Sequence, residues 1–214
     1  MRGLAASGVA VVSVDALVNG DGPTSAVAIT FDDAFTNFAT DAWPILRDLG
    51  WPVTLFVPSG HVGKTNAWEV LRRTSSPALP ILSWDNLAQL AADGVTIGAH
   101  SRSHPDLRTL APTALAEEID GVAHDVQQAL GVQPTGFAYP YGQYNAAVMH
   151  AVQRRYAWAV TTVLGPLSQP VNPFQLPRLD AYFLRGPAAT TRYGSLLFQG
   201  YLAMRAALRA LKSP

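Results

Sequence analysis

The residues in this chain best suited to chemistry fall in two short groups. Asp32 and Asp33 end the apolar run Ala26-Val27-Ala28-Ile29-Thr30-Phe31, and His100 and His104 follow the run Val95-Thr96-Ile97-Gly98-Ala99. Two imidazoles and one carboxylate make a three-ligand set for a divalent cation with a position left open to water, which is the arrangement of a hydrolytic metal centre. The other carboxylate is then available to move a proton, since adjacent strand residues point to opposite sides and suit different jobs. Each group also has a plainer use. Acids after a strand cap the next helix, and a His-x-x-x-His pair packs or caps more often than it binds metal. Pro105 disfavours helix at His104, so the spacing reads as a tight loop. The chain contains no cysteine, so a metal here must be held by His, Asp or Glu. Zinc suits such ligands first, and cobalt, nickel or manganese would also fit.

Position decides between these readings. Apolar runs of five or six residues rich in β-branched side chains read as fully buried parallel strands, and in α/β folds ligands gather at the carboxyl ends of such strands. Both groups sit at such an end. The rest of the chain supplies more of the same units. A helix end stopped by Gly8 precedes a short strand over Val9 to Val14, and Asn19 to Pro23 is a turn. A helix from Thr40 or Asp41 to Leu49 leads to a second buried strand, Val53 to Val57. The glycine-rich loop Pro58-Ser59-Gly60-His61-Val62-Gly63 leaves that strand at the level of the acids, which makes His61 a candidate. Helices follow over Ser83 to Leu90, Thr113 to Leu130 and Asn145 to about Arg155. Phe137-Ala138 ends a further short strand, Trp158 to Val163 and Gln175 to Leu179 read as two more, and 188–212 reads as a helix broken near Gly200. Strands alternating with helices predict a parallel sheet or barrel.

Length and composition narrow the classes. At 214 residues one domain over 1–214 fits better than two. Lys plus Arg and Asp plus Glu are both 15, with no basic block to neutralise phosphates, which argues against nucleic acid. No window reaches the roughly eighteen apolar residues of a membrane span. The apolar run near the N-terminus is broken by Ser7 and Gly8, too weak for a secretory signal, so the expected location is cytoplasmic.

Thr30-Phe31-Asp32-Asp33, His100-Ser101-Arg102-Ser103-His104 and Tyr139-Pro140-Tyr141-Gly142 resemble, in order and spacing, the first three motifs of the polysaccharide deacetylase family, the NodB-homology carbohydrate esterases. The resemblance runs from about Leu4 to beyond Arg178. It implies an α/β fold, a distorted (β/α) barrel that hydrolyses N-acetyl groups from a carbohydrate. It also implies a divalent metal on Asp33, His100 and His104, with Asp32 as the base that takes the proton of the attacking water. Tyr141 matches the position whose backbone N–H donates to the oxyanion, although on its own the Tyr139–Gly142 stretch reads as an ordinary proline turn.

The chain departs from the family pattern in four places. Ala138 stands where the third motif usually has an arginine paired to the catalytic Asp; Arg178 is the candidate replacement, with a structural arginine as its plainer reading. The family's late histidine, a general acid, has no counterpart, because no histidine follows His150. His61, or Asp32 returning its proton, is the candidate donor to the leaving amine. Ala34 replaces a common glycine, and the family usually carries a strand and most of a helix ahead of Met1, so the barrel is expected to lack its first strand. The reading that follows is a metal-dependent deacetylase of an N-acetylated sugar. Its alternatives are a hydrolase of another C–N bond, such as a cyclic amide or imide, and a carbohydrate-binding barrel with little catalysis.

Overall fold

The computed structural model describes residues 1–23, 25–68, 78–167, 170–184, 195, 198 and 200–205. Among them, β3 (Ile29–Phe31), β4 (Val53–Val57), β5 (Thr96–Ala99), β6 (Gly136–Ala138), β7 (Trp158–Leu164) and β8 (Leu176–Arg178) form one parallel sheet in chain order. Strands β1 (Ala10–Val11) and β2 (Ala26–Val27) make a second, two-stranded parallel ladder. Parallel neighbours need crossovers, and helices supply them: α3 (Trp43–Asp48) before β4, α4 (Trp84–Ala92) before β5, α5 (Pro112–Leu130) before β6 and α6 (Ala146–Gln153) before β7. The sheet curls into a distorted (β/α) barrel whose edge strands β3 and β8 are joined by side chains, since Arg178 bonds to Thr30 and Asp32.

The two-residue alternation of the strands divides the core into layers. Val53, Leu55 and Val57 of β4 pack outward with Leu46 of α3 and Leu87 and Leu90 of α4, whereas Phe56 points inward with Ala138, Trp158, Val160 and Leu176. Phe56 and Trp158 meet edge to face, 6.0 Å between ring centres, and plug the barrel beneath the ends of the strands. Gly98 and Gly136 make room for them: a Cβ at Gly98 would lie 2.5 Å from the Phe56 ring, and one at Gly136 2.0 Å from the Trp158 ring. Burying an aromatic ring of this size contributes about 1.5–3 kcal/mol. Trp158 also donates from Nε1 to Asp15 of α2 (Val14–Asn19) at 2.8 Å, which fixes that helix under the barrel.

Three local expectations change. The strand expected over Val9 to Val14 is only β1, because the Ser13 hydroxyl accepts from the Ala16 N–H and starts α2, which Gly20 ends in the left-handed region. The helix expected from Thr40 or Asp41 begins earlier, as a π-helical turn over Phe38–Ala42. Pro44 has no N–H to give the Thr40 carbonyl, so an α-helical ladder cannot continue through it. The expected helix over 188–212 lies largely outside the described residues, and 200–205 are helical. No helix among the described residues is long and apolar enough to cross a membrane.

Candidate metal centre and active site

Inward positions at the carboxyl ends of the strands bring the candidate residues together. Asp32 follows β3, His100 follows β5, and Arg178 ends β8. Arg178 grips Asp32 with both arms, Nη1 to Oδ1 and Nη2 to Oδ2, each at 2.7 Å. Its Nε donates to the Thr161 carbonyl at 2.8 Å, so the guanidinium is held from behind. The arginine missing at Ala138 is thus replaced across the barrel by one on β8. Burial by itself raises the Asp32 pKa. The charge and hydrogen bonds of Arg178, with smaller help from His100, outweigh that and hold the carboxyl below the usual carboxylate range.

Asp33, His100 and His104 offer one donor atom each within 4.8 Å of one another. His100 Nε2 lies 3.4 Å and His104 Nε2 3.5 Å from the same oxygen, Asp33 Oδ1. Tetrahedral bonds of ~2.0–2.1 Å place neighbouring ligand atoms about 3.3–3.4 Å apart, so these two carboxylate–imidazole distances suit a zinc-sized cation. Asp33 Oδ1 is also buried without a hydrogen-bond partner, which a cation would satisfy. His100 Nδ1 faces the Ala138 carbonyl at 2.8 Å; donating there leaves Nε2 as the lone pair aimed at the cluster. These three donors could hold a divalent cation.

The two imidazoles differ electrostatically. Burial, then the nearby charge of His100, push His104 down to about 2, so it is neutral and ready to ligate. For His100 burial also acts downward, but the Asp33 carboxylate 3.4 Å from Nε2, the charge of Asp32 and the Ala138 carbonyl outweigh it and raise the pKa above the ordinary imidazole value. In the cation-free protein His100⁺ therefore adds stability that is fully present below about pH 6.5 and fades as pH rises through its raised pKa. A cation must displace that proton. Zinc affinity is expected to rise about tenfold per pH unit below the His100 pKa, with about one proton released per cation. Calorimetric titration in buffers of different ionisation enthalpy checks this.

The backbone here is unusual. The non-glycine residues with positive φ among those described are Asp33 (70°), Ala34 (52°), Ser101 (60°), His104 (59°) and Tyr141 (58°), all within the three motif segments or, for Ala34, directly after one. Such conformations cost of order 1–3 kcal/mol each and persist where the surroundings enforce them. The left-handed backbone at Ala34 is one that favours glycine, the residue the family resemblance leads one to expect there. Tyr141 lies on the turn Pro140–Gly142, its ring 4.5 Å from that of His104. Gly142 is required there, because φ is +69° and a Cβ would lie 2.1 Å from Thr162 Oγ1.

His61 stands at the rim, half-buried, with Nε2 3.3 Å from the Ser103 carbonyl oxygen. Between His61 and the metal set sits Trp68, 4.5 Å from the His61 ring and stacked at 4.6 Å on His104. Trp158 is core, and His124 and His150 are exposed on helices.

The chain is 27% identical over 154 residues to the YxkH protein of Bacillus subtilis (strain 168), a match covering 72% of this chain and 50% of that protein. It is 28% identical over 115 residues to a chitin deacetylase of Colletotrichum lindemuthianum, covering 54% of this chain and 41% of that enzyme. The chain thus spans about half or less of the length of these curated relatives. Among solved structures, the Streptococcus pyogenes deacetylase PplD in complex with acetate superposes with a TM-score of 0.68 at 26% identity, covering 83% of this chain and 76% of that one. The family model described as polysaccharide deacetylase matches residues 19–157, a span holding the acid pair, the histidine pair and the Tyr141 turn, and this chain belongs to that family.

Proposed function

We propose that this protein is a metal-dependent hydrolase that removes N-acetyl groups from an N-acetylated carbohydrate. The observation that carries the reading is a carboxylate kept ionised by a two-armed arginine, Asp32, directly beside the three-donor cluster of Asp33, His100 and His104. Family membership and similarity to a chitin deacetylase support the substrate class.

Asp33, His100 and His104 would hold the cation. When bound, it supplies Lewis acidity to the acetamide carbonyl and lowers the pKa of water at the site. Asp32 takes the proton of the attacking water, and Arg178 fixes the direction in which it accepts. The backbone N–H of Tyr141, turned by its positive φ, is the donor toward the oxyanion that develops; such a donor is worth about 3 kcal/mol. The departing amine must gain a proton. Asp32 returns the one it took, with His61 at the rim as the alternative donor.

The test is acetate release from N-acetylglucosamine oligomers of several lengths, with and without a chelator. Release that stops with chelator and returns with zinc supports the proposal. Turnover of cyclic imides but not acetylated sugars points to another C–N bond, and glycan binding without acetate points to a non-catalytic barrel.

A further inference from the structure

The loop that carries both histidines is held from outside the site by one helix. On α5, the Glu118 carboxylate accepts the backbone N–H of Arg102 and of Ser103 through Oε2, each at 2.8 Å, and the Ser103 hydroxyl through Oε1 at 2.5 Å. Two turns further along the same face, Asp125 accepts Arg102 Nε at 2.8 Å and Nη2 at 2.9 Å, and also the Ser59 hydroxyl at 2.7 Å. Gly121 lies between these acids, and a Cβ there would meet Arg102 Cδ at 2.6 Å, so glycine lets the arginine cross the helix. On its other side the loop is fixed by the Gly60 N–H, which donates to the Arg102 carbonyl at 2.8 Å.

This clamp encloses a strained segment. Ser101 and His104 both have positive φ, and between them lie the two amide groups that Glu118 holds. Without those bonds the loop can relax toward ordinary backbone angles, which turns the His104 ring away from His100 and Asp33. We infer that Glu118, with Asp125 behind it, is a positioning residue that sets the cation affinity of the site without touching the cation. The inference rests on reading Asp33, His100 and His104 as a metal site.

The experiment is zinc competition titration against a chromophoric chelator on the full chain, with the cobalt visible spectrum recorded in parallel. Glu118→Ala is expected to weaken zinc binding by about 10–100-fold, the range found for groups that orient metal ligands, and to reduce the intensity of the cobalt bands. Asp125→Asn is expected to weaken binding by less. Glu117→Gln, on the exposed side of the same helix, removes the same charge and is expected to stay within twofold. Because Glu118→Ala can also loosen the fold, Glu118→Gln is measured beside it; retaining one acceptor oxygen, it should recover part of the affinity. Native protein that binds zinc tightly, with both Glu118 variants equal to it, overturns the inference alone. Native protein that binds no cation overturns the metal-site reading, and the inference with it.

Discussion

Replacing Asp32 with asparagine is expected to lower acetate release by about 10²–10⁴-fold while zinc affinity stays within about twofold of native. Asparagine keeps the shape and can still accept one bond from Arg178, so the barrel seam stays closed. What it loses is the capacity to take a proton. The neighbouring carboxylate cannot substitute, because Asp33 Oδ1 faces both imidazoles at 3.4 and 3.5 Å. Initial rates and a zinc titration on the same preparation separate the two roles. A variant that releases acetate at the native rate would remove Asp32 from the chemistry, and one that fails to bind zinc would make it a ligand.

Arg178→Met is expected to cost about a hundredfold in kcat/KM near neutral pH, about 2.7 kcal/mol of transition-state stabilisation. Arg178 does two things for Asp32: its charge lowers the pKa, and its paired bonds fix both oxygens. Without it, burial acts on the carboxyl with its main counterweight gone, so the pKa rises and the acid limb of the pH–rate profile moves to higher pH. Part of the lost rate should therefore return as pH is raised. Arg178→Lys keeps a cation but not the paired geometry, and is expected to fall between native and methionine. The stability consequence has a defined sign. Asp32 has a depressed pKa in the folded state, so its contribution is present above about pH 3.9 and is lost as pH falls through the folded value. The methionine variant should lack that contribution at neutral pH and show a lower Tm there, with the difference shrinking under acid conditions. A pH–rate profile with an unmoved acid limb would mean that Arg178 is merely structural.

Much of this arrangement is legible in residue order. Apolar runs ending at Phe31 and Ala99 place the acids and histidines at the carboxyl end of a parallel sheet, although the first is half-buried and divided between β2 and β3 rather than one fully buried strand. Elements β4, α4, α5 and β7 lie within a residue or two of where periodicity puts them. Short elements were harder. Val14, Leu17 and Val18 form one face of α2, yet β-branched residues after Val9 read as strand, and only the Ser13 cap tips the balance. The π-helical turn before Pro44 has no periodicity of its own. Backbone sign was also hidden: nothing in Asp33, Ser101 or His104 as residue types announces positive φ, which tertiary contacts impose.

The partners across the barrel show why site residues are only partly readable. Arg178 was a candidate from the absence of arginine at position 138, but its two-armed contact with Asp32 depends on β8 facing β3, 146 residues away in sequence. Glu118 and Asp125 are not legible as site residues, because acids on an amphipathic helix read as a solvated face. The available signal was their seven-residue spacing around Gly121, which places both on one face of α5, facing the loop.

A crystal structure of the zinc-loaded protein tests the central claim most directly. The account predicts one anomalous peak bonded to an Asp33 oxygen and to the Nε2 atoms of His100 and His104, with Asp32 still gripped by both arms of Arg178. Zinc bound elsewhere, or bound through Asp32 with Arg178 released, would contradict it.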